Sequence, residues 1–125
     1  MSGALLDTSV VIARGDDVDP SPSSAISTVT LGELLAGVHL APNETVRRLR
    51  RDRLNALRAA FAPLSVDESV AEQYGKLLAH ARSMKRSDKA TDLLIAATAA
   101  ATGRVLHTLD SQQAALARSA GISVA

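Results

Sequence analysis

Eleven residues late in the chain, Asp92 to Thr102 (DLLIAATAAAT), constrain the fold more than any other stretch. They are apolar on nearly every side, and Gly103 follows as a natural stop for such a helix. A helix with no polar face has to be surrounded by other elements. Short apolar runs elsewhere read as buried strands: Ala4-Leu5-Leu6, Ala25 to Val29, Leu64-Ser65-Val66 and Arg104 to Thr108, with Ile122-Ser123-Val124 as a last edge strand. Helical stretches separate them. Thr8 to Ala13 is a short one with a hydroxyl residue placed to cap it, and Thr30-Leu31-Gly32-Glu33 has the spacing of a capping box opening a helix to His39. Pro42 and Asn43 open an arginine-rich helix that Pro63 stops. Asp67 caps the next, where Val70, Tyr74, Leu77, Leu78 and Ala81 recur at helical spacing, and Asp110 to Ala120 forms the last. Strands alternating with helices over short links predict an α/β sandwich around a mainly parallel sheet of four or five short strands. Arg14 to Ser24 reads as a loop, and the 125 residues suit a single domain.

Composition removes several classes of function. With no cysteine, disulfides, Cys-ligated zinc and a thiol nucleophile are excluded. One Phe, one Tyr and no Trp leave no aromatic platform for stacking single-stranded nucleic acid. No run reaches the ~18 apolar residues of a membrane span. The start of the chain lacks the basic lead-in of a secretory signal, so a soluble cytoplasmic protein without membrane contact is expected. The net charge of +1 conceals an asymmetry: Met1 to Glu44 carries six acids and one base, Arg47 to Lys89 eleven bases and five acids. Much of that basic charge reads as the solvated side of the arginine helix, whose other side carries Val46, Leu49, Leu57 and Phe61.

In parallel sheets, ligands bind beyond the carboxyl ends of the strands. Asp7 and Asp110 follow strands at that end, and Glu33 and Asp92 lie near helix starts. Each except Asp7 has an ordinary structural use. Glu33 completes the capping box, Asp110 can cap its helix with Gln113 as reciprocal partner, and Asp92 favours a helix dipole. Asp88, one turn before Asp92, suits a capping role. A carboxylate closing a buried strand, as Asp7 does, has little such use. If the four converge, two unit charges at 4 Å repel by about 4 kcal/mol at an effective dielectric near 20, so the pocket must take up protons or a divalent cation. Carboxylates alone select hard ions, Mg²⁺ or Mn²⁺. His39, His80 and His107 show no zinc-ligand spacing.

Four blocks of the chain resemble one family. Leu5-Leu6-Asp7-Thr8-Ser9-Val10-Val11-Ile12, Thr30-Leu31-Gly32-Glu33-Leu34-Leu35-Ala36-Gly37 and Asp92-Leu93-Leu94-Ile95-Ala96-Ala97-Thr98-Ala99 look like the first three motifs of the PIN domain. Leu106-His107-Thr108-Leu109-Asp110 looks like its strand-end motif. The compact size and the Glu-Leu-Leu-Ala-Gly block are similar to the VapC toxins of bacterial toxin–antitoxin pairs. The resemblance implies a PIN-like three-layer sandwich and a metal-dependent endoribonuclease, a homodimer neutralised by a VapB-type antitoxin. It implies Asp7, Glu33 and Asp92 as core acids, with Asp7 and Asp92 the direct ligands. The fourth motif departs from the family: Asp110 stands where relatives carry Asn or an alternative Asp, and Gln113 replaces a later acid.

On this reading, cleavage uses Mg²⁺ or Mn²⁺ held by the carboxylates to activate a water against an RNA phosphodiester. Glu33 orients that water or a second ion. Thr8, Ser9 and Thr108 are expected to hydrogen-bond the acids. Arg82, Lys85, Arg86 and Lys89 lead directly to Asp92 and are expected to hold the phosphate backbone. The rivals are a catalytically silent PIN-like scaffold for RNA or protein and a receiver-like Mg²⁺-binding signalling module. The receiver-like module is disfavoured because Asp7 has no adjacent acid and the strand ending at Thr108 offers no Lys.

Overall fold

The computed structural model describes residues 3–15 and 23–125. Its elements in chain order are β1 (Ala4–Leu6), α1 (Thr8–Arg14), β2 (Ser24–Ser27), α2 (Thr28–His39), α3 (Glu44–Ala60), β3 (Pro63–Leu64), α4 (Glu68–Ser83), α5 (Ala90–Thr102), β4 (Val105–His107) and α6 (Ser111–Ser119). The four strands form one parallel sheet in the order β3-β2-β1-β4. From β1 the chain steps outward through β2 to β3, then returns to place β4 on the other side of β1. That reversal puts a topological switch point at the carboxyl ends of β1 and β4, where open parallel sheets form a crevice.

Both faces of the sheet are covered, so the strands are apolar at successive positions rather than alternating with polar residues. Leu5, Ala25 and Leu106 pack with Leu77 and Ala81 of α4, Leu93, Ile95, Ala96 and Ala99 of α5, and Leu116 and Ala117 of α6. Leu6 and Ile26 face the other way, onto Val10 and Val11 of α1, Leu57 of α3 and Phe61. The result is the expected three-layer sandwich. Helix α5 is its central helix, with Leu93 and Ile95 to Ala99 all buried. Its alanines keep it thin enough to lie against both the sheet and α4. It ends as the sequence indicates, at Gly103 with φ 65°.

Local predictions need several corrections. The carboxylate of Asp7, not a hydroxyl, caps α1, accepting from Ser9 N at 3.2 Å, so Asp7 does have a structural use. Ser27 caps α2, and Thr30 lies inside that helix, fully buried, so Thr30-to-Glu33 is no capping box. Strand β2 ends at Ser27 because the backbone there, though still extended, already turns into the helix. Strand β3 is the pair Pro63–Leu64, and the expected last strand is a single bridge between Leu106 and Val124. Leu49 is 60% exposed. It lies roughly 100° round α3 from the stripe of Leu54, Leu57 and Phe61 that packs inward. Of the predicted loop, Arg14 belongs to α1, Gly15 to its C-terminal cap and Ser24 to β2, while 16–22 lie outside the described residues.

Candidate active site

Asp7 lies at the switch point, 3% exposed, and its backbone N–H donates to His107 O at 2.9 Å, holding the ends of β1 and β4 together. Its two carboxylate oxygens have different surroundings. Oδ2 accepts from Ser9 Oγ at 2.6 Å and Ser9 N at 3.2 Å, with the Thr108 hydroxyl 3.1 Å away. Among the described residues, Oδ1 meets only the Gln113 amide, at 3.4 Å. Oδ2 is therefore firmly held by the protein and Oδ1 only loosely. Ser9 is fixed in turn by Leu109 N–H, which donates to its hydroxyl at 3.0 Å.

Three further acids come from different elements. Glu33, on α2, accepts from the Thr8 hydroxyl at 2.7 Å, and the buried Thr30 hydroxyl lies 3.0 Å from the same Thr8 oxygen. Asp110 caps α6, accepting from the backbone of Gln112 and Gln113, while its own N–H donates to Thr108 Oγ1 at 3.0 Å. Asp92, in the first turn of α5, receives no side-chain hydrogen bond among the described residues. Its pKa is raised above the ordinary carboxyl value, first by partial burial and then by the negative charges of Asp7, Asp110 and Glu33; Lys89 opposes the shift. The four acids thus share one electrostatic field, drawn from segments 85 residues apart in sequence between Asp7 and Asp92.

The donor set suits a hard cation loosely held. Among the described residues, no three Asp, Glu, His or Cys side chains stand close enough to cage an ion by themselves. Mg²⁺ does not need such a cage, since it usually retains waters and takes one or two carboxylates with substrate phosphate. Asp7 Oδ1, met by a long 3.4 Å contact, and the Asp92 carboxylate are the groups that fit.

The expected hydrogen-bonding residues Thr8, Ser9 and Thr108 all touch site acids. The basic group is divided. Arg86 is committed to a bidentate pair with Asp88 (2.9 and 3.0 Å) and donates to Gln112 O at 2.9 Å, clamping the α4–α5 connection onto α6. The Asp88 hydrogen bond raises the Arg86 pKa further, against some desolvation, and Asp110 adds attraction. Asp88 therefore pairs with Arg86 instead of capping α5, which has no side-chain cap. Arg82, Lys85 and Lys89 remain exposed near the start of α5. Thr30 and Gln113 serve the site rather than the helix-capping roles that their spacing suggests. Gln113 instead donates to Asp7 and to Asp92 O and accepts from Thr108. Beside Glu33, a groove of about 440 Å³ runs between α1, α2 and α3, walled by Val11, Leu34, Leu54 and Leu57, with Arg50 and Arg53 on its rim.

Fold and site together define a parallel α/β domain with four electrostatically coupled acids near its switch point. A family model for the PIN domain matches residues 4–119. Ribonuclease VapC4 of Mycobacterium tuberculosis is 38% identical over 120 residues, covering 90% of each chain. Ribonuclease VapC8 of the same organism is 42% identical over 100 residues, covering 76% of this chain and 88% of the relative. A crystal structure of VapBC-5 from Mycobacterium tuberculosis, a member of the VapBC family of toxin–antitoxin systems, superposes with a TM-score of 0.84 at 33% identity, covering 99% of this chain and 98% of that one. The chain belongs to the PIN-domain family and, within it, to the VapC group.

Proposed function

We propose that this protein is the ribonuclease toxin of a VapBC-type pair, a divalent-metal-dependent endonuclease that hydrolyses RNA phosphodiester bonds. The observation that carries the reading is the gathering of Asp7, Glu33, Asp92 and Asp110, where partial burial and the charges of the other three acids together raise the Asp92 pKa. The named relatives, which are ribonucleases, support it.

Asp7 and Asp92 would hold the ion. When bound, Mg²⁺ or Mn²⁺ supplies positive charge to the phosphate oxygens and makes water more acidic. The protein's own groups do the positioning. Ser9 takes up Asp7 Oδ2, with the Thr108 hydroxyl beside it, which leaves Oδ1 the freer oxygen. Thr8 holds Glu33 in one orientation, from which its second oxygen can align a water. Arg82, Lys85 and Lys89 bring positive charge to the entrance beside Asp92, where they attract the RNA backbone, so affinity falls steeply with salt.

A VapB-type antitoxin is the expected partner, as in the VapBC neighbour. The groove walled by Val11, Leu34, Leu54 and Leu57 offers an apolar seat for an antitoxin segment, with Glu33 at its border with the acids. The active toxin is expected to be a homodimer. RNA cleavage by the purified protein with Mn²⁺, with chelator and in Asp7→Asn tests the activity. The reading expects cleavage only in the first case. Chelator-resistant RNA binding without cleavage would make the protein a PIN-fold scaffold.

A further inference from the structure

We propose that Gln113 is a positioning residue of this pocket, a neutral bracket that sets the Asp7 carboxylate and the start of α5 and keeps a fifth negative charge out of the pocket. The proposal rests on the reading of the pocket as a metal-dependent nuclease site.

Gln113 is 4% exposed, yet it lies in the first turn of α6 with its side chain at the meeting point of β1, β4 and α5. Its amide nitrogen donates to Asp92 O at 3.1 Å and approaches Asp7 Oδ1 at 3.4 Å. Its oxygen accepts from the Thr108 hydroxyl at 2.7 Å. A primary amide offers two N–H donors and one oxygen. With the oxygen taken by Thr108, both donors are aimed at the two pocket acceptors. The reverse orientation would set oxygen against a carboxylate and a carbonyl, so the amide has one orientation here.

Other side chains fail in specific ways. Leu or Ala would leave the Thr108 hydroxyl and Asp92 O without this partner. Glu, of the same shape, would place a charged oxygen against Asp7 Oδ1 and Asp92 O in a buried position. The length of the Asp7 contact is equally informative. At 3.4 Å the amide orients Oδ1 without saturating it, which leaves that oxygen able to ligate. The backbone contact at Asp92 is the shorter of the two and fixes the turn that carries the second ligand. Because the bracket is neutral, the pocket holds four carboxylates. A fifth would add negative charge that more cation must offset.

Mn²⁺ binding without RNA, measured by calorimetry on the folded full-length protein, tests this directly, alongside Tm with and without Mn²⁺. The parent is expected to bind one ion. Gln113→Ala should bind it at least about tenfold more weakly, as losses of supporting hydrogen bonds around metal ligands do. Gln113→Glu should have a lower Tm than the parent without metal, a larger Mn²⁺-induced rise, and a second bound ion. The Glu variant separates positioning from simple packing, since a packing role would leave the number of ions unchanged. If Gln113→Ala folds and binds Mn²⁺ as tightly as the parent, or Gln113→Glu shows no metal-dependent recovery, the proposal fails while the nuclease reading stands. A parent protein that binds no Mn²⁺ overturns both.

Discussion

Asp67 and Asp7 perform the same local act in two different regions of the molecule. Each caps a helix by accepting a backbone N–H: Asp67 from Val70 at 2.9 Å at the start of α4, and Asp7 from Ser9 at 3.2 Å at the start of α1. Asp67 is exposed, at the rim. Asp7 lies at the switch point, nearly buried, with further donors on one oxygen and three other acids nearby. Capping and chemistry are therefore not alternatives for a carboxylate. A cap needs only one oxygen, and whether the other has work to do depends on what the sheet topology places in front of it. Asp110 shows the same pattern, capping α6 while adding its charge to the field around Asp92.

The comparison breaks if the two regions respond alike to mutation. Asp7→Asn should lower the rate of RNA cleavage by at least about 100-fold, because a lost ion ligand removes several kcal/mol of charge stabilisation. Single-turnover cleavage of a model RNA measures this. Thr108→Val removes the hydroxyl between Asp7, Gln113 and the Asp110 backbone, and Mn²⁺ affinity by calorimetry should fall by about tenfold. Asp67→Ala should cost about 1 kcal/mol of stability in urea unfolding and leave cleavage unchanged. An effect of Asp67→Ala on catalysis would erase the distinction.

A smaller effect sharpens it through pH. The folded protein raises the Asp92 pKa above its unfolded value, so the ionised form costs stability above the folded pKa, and the cost disappears as the pH falls toward the ordinary carboxyl range. Without divalent ions, Asp92→Asn should therefore melt above the parent at neutral pH, by a few degrees. The gap should close on acidification as the parent's Asp92 takes up its proton. An Asp67→Asn control should show no such gain.

The parts legible in sequence were those fixed by local chemistry. The apolar run after Asp92 could only be central, Gly103 and Asp67 served at the helix ends where their types suggest, and the four acids could be named from their places after strands and near helix starts. The contacts that organise those acids were not legible. Gln113 reaches Asp7 across 106 positions, and a glutamine within an α6 capping spacing carries no signal of that contact. Thr30 matched a capping box by spacing, but β2 ends at Ser27, and the helix it opens turns Thr30 inward toward Thr8. Arg86 resembled its exposed basic neighbours until folding brought it to Asp88 and Gln112 O. For Gln113, Thr30 and the Arg86–Gln112 contact the pairing is set by tertiary geometry that neither periodicity nor composition encodes.

The most direct trial follows Tm during Mg²⁺ titration of the metal-free parent and of Asp92→Asn. The account predicts that the parent rises with Mg²⁺, while the variant starts higher and barely responds. Parallel rises in the two proteins would mean that the ion binds elsewhere and that these acids do not form its site.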